Sequence, residues 1–311
     1  MGNQQQKDNN PKQLQQKSSY EQMPHIDLLK FIKIDDKYLS TEHITEALRQ
    51  AGIESSNLIV GIDYTASNVE KGSMSFSGKS LHYIDPHIVN PYQSVISIIG
   101  KILEPFDEDK LIPAFGFGDI RTKNNLVFNI NKNRASCYTF ANVLECYNEI
   151  TPFIHLNGPT SFAPLIKHAI EIVKHTASYH ILLIITDGEI IDKEPTAKLL
   201  VEASKYPLSI IAIGVGDGPF DQMEAYDDEL PQRKFDNFQF VSYGKVYKES
   251  LKRNMPFEPL LAISVLQEIP DQYQYIKKHG FLSLKPTSFL HNENEYIVND
   301  YDVGNFAKIY N

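Results

Sequence analysis

Side chains that could bind a metal ion occur at three separate places in the sequence, and all of them offer oxygen atoms. They are Asp63, Thr65, Ser67, Thr160 and Asp187. Two carboxylates and three hydroxyls suit a hard divalent cation, which points to Mg²⁺ before Zn²⁺ or copper, with Mn²⁺ or Ca²⁺ as replacements. Because Mg²⁺ keeps several water ligands, such a set leaves a place for a ligand from outside, and we expect a carboxylate from another protein to take it.

The elements that must position these side chains are two apolar runs. Residues 58–62 and 181–185 are continuously apolar, as strands buried on both faces of a parallel sheet are. Asp63 follows the first run, and Asp187 lies just beyond the second. Ligands of open α/β sheets bind outside the carboxyl ends of the strands, so both carboxylates are predicted at the same edge of the sheet.

The rest of the chain alternates between predicted strands and predicted helices of ten or more residues. Strands are predicted at 58–62, 112–117, 127–130, 180–186, 208–215 and 238–241, and helices at 40–50, 92–103, 140–150, 164–174, 195–204 and 256–276. This alternation predicts the α/β class, with a doubly wound, mostly parallel sheet covered by helices on both faces.

The order of the oxygen-bearing residues also resembles a known family. Asp-x-Thr-x-Ser at 63–67, a distant Thr160 and the pair Asp187-Gly188 are similar to the metal-ion-dependent adhesion site of von Willebrand factor A domains. Further stretches are similar to the copine type of that domain, in particular the version in plant RING-domain ubiquitin ligases: 80–84, 90–92, 113–119, 158–164, 214–219, 235–241 and 268–273. The resemblance implies a Rossmann-like von Willebrand factor A fold and a Mg²⁺ site on the five residues named above.

The resemblance also sets the expected domain boundaries. A copine-like domain is expected at 39–284, a polar and disordered segment at 1–38 and a polar tail at 285–311. A RING needs about eight paired Cys and His ligands, whereas Cys137 and Cys146 are the two cysteines of the sequence. We therefore expect a protein-interaction module rather than an enzyme. The alternative is a substrate-binding component of a ubiquitin-ligase pathway that acts with a separate RING protein.

An enzyme interpretation of the same residues is less favourable. An apolar strand followed by Asp63, with a later Asp-Gly, is also typical of aspartyl phosphatases of the haloacid dehalogenase type. Those enzymes need a second Asp two positions after the first as a general acid, and Thr65 stands there. Turn and cap chemistry could account for Thr65 or Ser67 alone, but not for the combined pattern.

Charge and composition limit which classes of partner and which cell compartment we expect. A formal net charge of −9 argues against binding to nucleic acid, which requires a basic surface. Two cysteines in 311 residues favour a reducing cytoplasm, and the apolar runs are shorter than a spanning helix requires. Membrane association is expected only if Gly2 is myristoylated, and Gln6 stands where that modification prefers Ser or Thr.

Overall fold

Seven strands form one sheet in the computed structural model, which describes residues 40–53, 56–107, 110–134, 136–188, 190–191, 193–230, 233–286 and 297–298. The strands are β1 (Asn57–Asp63), β2 (Ala114–Phe117), β3 (Val127–Asn129), β4 (His180–Thr186), β5 (Leu208–Gly214), β6 (Phe238–Ser242) and β7 (Ile297–Val298). Their order is β6-β5-β4-β1-β2-β3-β7. All pairings are parallel except that of β2 with β3.

The strand order reverses between β1 and β4, at the centre of the sheet. From β1 the chain proceeds to β2 and β3 on one side, and from β4 it proceeds to β5 and β6 on the other. In doubly wound sheets, ligands bind beyond the carboxyl ends of the strands at such a reversal. Asp63 ends β1, and Asp187 directly follows β4.

The central strands are buried on both faces because nearly every residue in them is apolar. All seven residues of β4 are buried. Alternate side chains point to opposite faces, so Leu182 and Ile184 enter one hydrophobic core while Ile181, Leu183 and Ile185 enter the other. The sheet therefore separates two cores, each of which needs a layer of helices.

Nine α-helices lie in the described part of the chain. They are α1 (Thr41–Ala51), α2 (Pro91–Leu103), α3 (Phe140–Ile150), α4 (Ala163–Thr176), α5 (Lys193–Ala203), α6 (Asp221–Glu229), α7 (Tyr243–Arg253), α8 (Phe257–Leu266) and α9 (Ile269–Lys278). Side chains of α1, α2, α3, α8 and α9 enter the core that contains Ile181, Leu183 and Ile185, and α7 also contacts this core. Side chains of α4, α5 and α6 enter the core that contains Leu182 and Ile184. The predicted α/β class, with a mostly parallel sheet and helices on both faces, is confirmed.

Three helical features differ from the sequence prediction. The predicted helix at 256–276 is two helices, because α8 ends at Leu266 and Pro270 occupies the first turn of α9, where proline begins a helix rather than continuing one. Helices α6 and α7 were not predicted. Both are rich in charged residues. The helical pattern of apolar residues is weak in α6, and α7 was overlooked because it has few apolar residues, although these do lie on one face.

Parts of the predicted domain scheme lie outside the described residues. These are the segment 1–38, predicted to be disordered, and most of the tail 285–311. The tail nevertheless supplies β7, which pairs with β3. Within the described ranges no helix combines the length and the apolar character needed to cross a membrane.

Candidate metal centre

The Asp63 carboxylate is held in one position by hydrogen bonds at the end of β1. Ile62 of β1 pairs with Ile185 of β4, which brings Thr186 beside Asp63. The Thr186 hydroxyl donates to Asp63 Oδ2 at 2.6 Å, and the Thr65 amide donates to Asp63 Oδ1 at 2.9 Å. The Asp187 amide also donates to this carboxylate. Asp63 is fully buried, and burial raises its pKa while these donors oppose the rise.

Three hydroxyl groups meet beside Asp63. Thr65 Oγ1 lies 3.1 Å from Ser67 Oγ, and the Thr160 hydroxyl donates to Thr65 Oγ1 at 3.3 Å. A β-bridge between Thr65 and Asn157 joins the segment that carries Thr65 and Ser67 to the segment that carries Thr160. Asn157 directly precedes the cis Gly158–Pro159 peptide. Thr65 and Thr160 are buried, whereas Ser67 is half-buried and brings the group to the surface.

Asp187 differs from Asp63 in that its carboxylate lacks well-formed hydrogen bonds; the Ser67 hydroxyl and its own amide are near it but do not reach hydrogen-bonding geometry. Both of its oxygens are buried, and neither has a partner among the described residues. Burial, followed by the negative charge of Asp63, raises the pKa of Asp187 to about 8. The nearby Ser67 hydroxyl and the charge of Lys71 offset only part of that rise. Ionising a buried carboxyl group next to a second one costs free energy unless a cation lies beside it.

This donor set fits a hard divalent cation. Two carboxylates, one of them without a partner, adjoin three hydroxyl oxygens whose lone pairs can accept a metal. Sulfur and imidazole, the ligands that favour zinc or copper, do not contribute to the set. Among the described residues there is no group of three or more His, Cys, Asp and Glu side chains suited to a metal. Asp63, Thr65, Ser67, Thr160 and Asp187 are the residues that would hold the ion.

Gly118, which follows β2, leaves space for this group of side chains. Its φ is +83°, a conformation that strongly favours glycine. A Cβ at this position would lie 2.4 Å from Thr65 Cγ2 and 3.5 Å from Asp63 Oδ1. A larger residue would therefore displace Thr65.

Buried aromatic and polar side chains hold the backbone of Asp63 in place by hydrogen bonds to its carbonyl oxygen. The Asp63 carbonyl accepts hydrogen bonds from His82 Nε2 at 2.7 Å, the Tyr92 hydroxyl at 3.2 Å and the Asn68 amide at 3.3 Å. Burial lowers the pKa of His82 to about 3, so its ring is neutral. Because Nε2 carries the proton, Nδ1 accepts from the Tyr147 hydroxyl at 2.9 Å.

The supporting residues were missed from the sequence. Thr186 becomes significant only when β4 is known to lie beside β1, and a single sequence does not give strand order. His82 and Tyr92 occur in stretches that carried the family resemblance, but no role followed from their spacing. Gly118 lies in the stretch 113–119, which also carried the resemblance, and no role followed from its position either.

The loops around the centre expose apolar side chains. Val69 is 54% exposed, Met74 is 81% exposed and Ile191 is 62% exposed. The Ile191 amide donates to the Thr160 carbonyl at 3.0 Å, so Ile191 lies next to a residue that supplies one of the three hydroxyls. The amide of Met74 donates to the Asp217 carboxylate at 2.9 Å, which fixes its loop to the turn after β5.

Comparisons with known proteins identify relatives that are much longer than this chain. Copine family protein 1 of Caenorhabditis elegans is 47% identical over 243 residues, which are 78% of this chain and 22% of that protein. The E3 ubiquitin-protein ligases RGLG5 and RGLG2 of Arabidopsis thaliana are 47% and 48% identical over 266 and 258 residues. Those matches cover 81% and 79% of this chain, and 61% and 55% of the two ligases.

Solved structures of von Willebrand factor A type show a more distant likeness. The manganese-loaded TRAP protein of Plasmodium vivax has a TM-score of 0.42 at 12% identity, over 67% of this chain and 74% of that one. A von Willebrand factor type A protein from Catenulispora acidiphila has a TM-score of 0.38 at 11% identity, over 70% and 43% of the two chains. At these values the likeness concerns the fold and not the ligands.

A family model described as Copine matches residues 80–285, well over half of the 311 residues. The match includes Thr160 and Asp187 and begins after Asp63, Thr65 and Ser67. The resemblance to copine-type domains is thereby confirmed, and the predicted relationship to the plant ligases is confirmed by the Arabidopsis relatives. The chain belongs to the copine family.

Proposed function

We propose that this chain is a metal-dependent protein-interaction module that works by binding rather than by catalysis. A Mg²⁺ ion, replaceable by Mn²⁺ or Ca²⁺, is held by Asp63, Thr65, Ser67, Thr160 and Asp187. An Asp or Glu side chain of a partner protein completes its coordination. In this proposal the setting is cytoplasmic, with membrane contact only if Gly2 is acylated.

The observation that carries the proposal is the Asp187 carboxylate. Both of its oxygens are buried beside a second buried carboxylate, and neither has a hydrogen-bond partner within the described ranges. If both carboxyl groups were ionised, two neighbouring negative charges would repel each other in a medium of low dielectric constant, which is part of why the pKa of Asp187 is raised. A divalent cation would convert that repulsion into attraction and favour the ionised forms.

The charge of the ligand set and its exposed side support a carboxylate as the partner's ligand. Three of the five metal ligands are neutral hydroxyls, so two protein carboxylates balance the 2+ charge and leave the ion able to attract one more. Ser67 is the ligand nearest to solvent, and the exposed Val69 and Ile191 lie in the same loops as the ligands. Exposed apolar side chains next to the ligands favour a protein as the partner, because clustered exposed apolar groups mark interaction sites.

The test selects a phage-displayed library of random peptides on the immobilised protein in Mg²⁺ and then releases bound phage with EDTA. We expect the released peptides to share one Asp or Glu. Replacing that residue by Asn or Gln should abolish binding, because a neutral amide cannot supply the missing negative charge.

The matched control is Asp187→Asn, which keeps the size of the side chain and removes its charge. It should release no acidic peptides above background. Peptides that share no acidic residue, or that bind equally well in EDTA, would contradict the proposed partner chemistry.

The second candidate function is a substrate-binding component of a ubiquitin-ligase pathway. Its support is the Arabidopsis relatives, which are named E3 ubiquitin-protein ligases and are 47% and 48% identical to this chain. In this proposal the chain selects the substrate and a separate RING protein transfers ubiquitin. Metal-dependent co-purification of a RING protein with the wild type, but not with Asp187→Asn, would favour this function.

A further inference from the structure

Cys137 and Cys146 place two thiols in contact outside the candidate metal centre. Cys137 lies in a short segment that pairs with Ile112 through two backbone hydrogen bonds of 2.7 and 2.8 Å. Cys146 lies in α3. The two sulfur atoms are 3.8 Å apart, and the Cys137 thiol donates a hydrogen bond to the Cys146 sulfur. Both residues are buried and neither forms a disulfide.

The two sulfurs are close enough for a covalent bond to form after a small movement. A disulfide has a sulfur–sulfur distance of about 2.05 Å, so the atoms need to approach by less than about 2 Å. Rotation of either cysteine side chain about χ1 moves its sulfur over such a distance. The backbone of Cys137 can therefore stay paired with Ile112 while the bond forms.

Cys146 is also the thiol that a small molecule can reach. Its side chain is 8% exposed and lines an open cleft of about 220 Å³, whereas Cys137 is fully buried. Because one water occupies about 30 Å³ in the liquid, this cleft admits a molecule the size of hydrogen peroxide.

The hydrogen bond between the thiols makes their chemistry unequal. The donated bond lowers the pKa of Cys146 and raises the pKa of Cys137. The carboxylates of Glu149 and Glu145, which also line the cleft, oppose the change at Cys146. The thiolate is the reactive form of cysteine, so both access and ionisation favour Cys146 as the residue that reacts first.

We propose that Cys137 and Cys146 are an oxidisable dithiol site that a peroxide converts into an intramolecular disulfide. The Cys146 thiolate attacks one oxygen of hydrogen peroxide, the O–O bond breaks, and the hydroxide released takes a proton to become water. This leaves a sulfenic acid on Cys146. The Cys137 thiol then attacks the Cys146 sulfur, and the hydroxyl group leaves with the Cys137 proton as a second water. Two thiols are oxidised, one peroxide is reduced and two waters are formed.

The test exposes the full 311-residue chain to hydrogen peroxide and then measures intact mass, the number of thiols alkylated in denaturant, and the cross-linked peptides. We expect the monomer to lose two hydrogen atoms, both thiols to become unreactive, and a peptide pair joining Cys137 to Cys146. Dithiothreitol should restore both thiols. Two thiols that still react after peroxide treatment, or added oxygen atoms without a cross-link, would overturn the proposal.

Single-cysteine variants test the order of the two steps. In Cys137→Ser the sulfenic acid on Cys146 has no partner, so dimedone should trap it. In Cys146→Ser the remaining Cys137 is buried and should not react under the same conditions. The corresponding alanine variants serve if a serine hydroxyl destabilises the core. Equal labelling of the two variants, or preferential labelling of Cys137, would overturn the assignment of Cys146 as the attacking thiol.

Discussion

At the scale of single residues, the two carboxylates of the candidate centre have different local surroundings. Asp63 accepts hydrogen bonds from the Thr186 hydroxyl at 2.6 Å and from the Thr65 amide at 2.9 Å, whereas in the described part of the chain no donor has hydrogen-bonding geometry to the Asp187 carboxylate. Replacing Asp63 would leave buried donors without partners and disturb the fold as well as the metal. Asp187 is therefore the better residue for separating metal binding from folding.

Asp187→Asn should stabilise the metal-free protein. The substitution removes a buried carboxylate that lies beside a second one, so we expect the free energy of unfolding to rise by about 1 kcal/mol near neutral pH. The measurement is urea denaturation of both proteins in EDTA. A variant that is clearly less stable than the wild type in EDTA would show that Asp187 has a stabilising contact in the absence of metal.

Gly118→Ala should weaken metal binding at least about tenfold, which is about 1.4 kcal/mol. The new Cβ would lie 2.4 Å from Thr65 Cγ2, and the φ of +83° adds backbone strain. Titration with Mg²⁺ measures the effect. Gly244→Ala in α7 is the matched control, because its Cβ would meet no atom within 4 Å and alanine favours a helix. Equal losses of Mg²⁺ affinity in both variants would contradict the claim that metal binding depends on the space at Gly118.

At the scale of elements, the sequence predicted the strands better than the helices. The predicted bounds of β4 and α3 are those observed, because both have strong apolar patterns and clear ends. The division between α8 and α9 was missed because α8 is apolar on nearly all sides. Its sequence therefore has no helical pattern whose end would mark the break before Pro270. Helix α7 was missed because its contacts with the core come from few side chains, such as Tyr243 and Val246.

Glu268, which directly precedes α9, should make stability depend on pH. Burial raises its pKa from 4.5 to about 7, and the charges of Asp227 and Asp236 add to the rise. The folded protein thus holds this proton more tightly than the unfolded chain does. Its contribution to stability is complete below about pH 4.5 and is lost as pH rises from 4.5 through about 7.

Denaturation of the wild type and Glu268→Gln between pH 4 and 8 measures this contribution. The variant should match the wild type near pH 4 and should be more stable by about 1–2 kcal/mol above pH 7, a value reduced for partial exposure. Glu258→Gln, at an exposed glutamate of α8, is the control. A constant difference at all pH values would mean that Glu268 does not titrate in this range.

At the scale of the whole molecule, the candidate centre lies where the two halves of the sheet meet. Its residues come from the ends of β1 and β4 and from the loop before α4, and the neighbouring side chains Tyr64 and Phe162 belong to different cores. The sequence suggested that all five oxygen-bearing residues belong together, because their types and order have a chemical meaning, and their role as metal ligands stays a prediction. Their supporting contacts depend on strand order and on side-chain packing, which sequence spacing does not specify.

A metal bound between these elements should stabilise the whole fold. Free Mg²⁺ at a hundredfold excess over its dissociation constant should add about 2.7 kcal/mol to the free energy of unfolding, provided that the unfolded chain does not bind it. Thermal melting with Mg²⁺ and with EDTA measures the gain. Asp187→Asn should show no gain, and a similar gain in that variant would place the metal elsewhere.

Isothermal titration of the metal-free wild type and of Asp187→Asn with Mg²⁺ tests the central claim most directly. The account predicts one Mg²⁺ per wild-type chain and no saturable heat for the variant, while both proteins melt cooperatively in EDTA. Absence of binding to the wild type would contradict the metal centre itself. Equal affinity in the two proteins would contradict its assignment to Asp187 and the side chains around it.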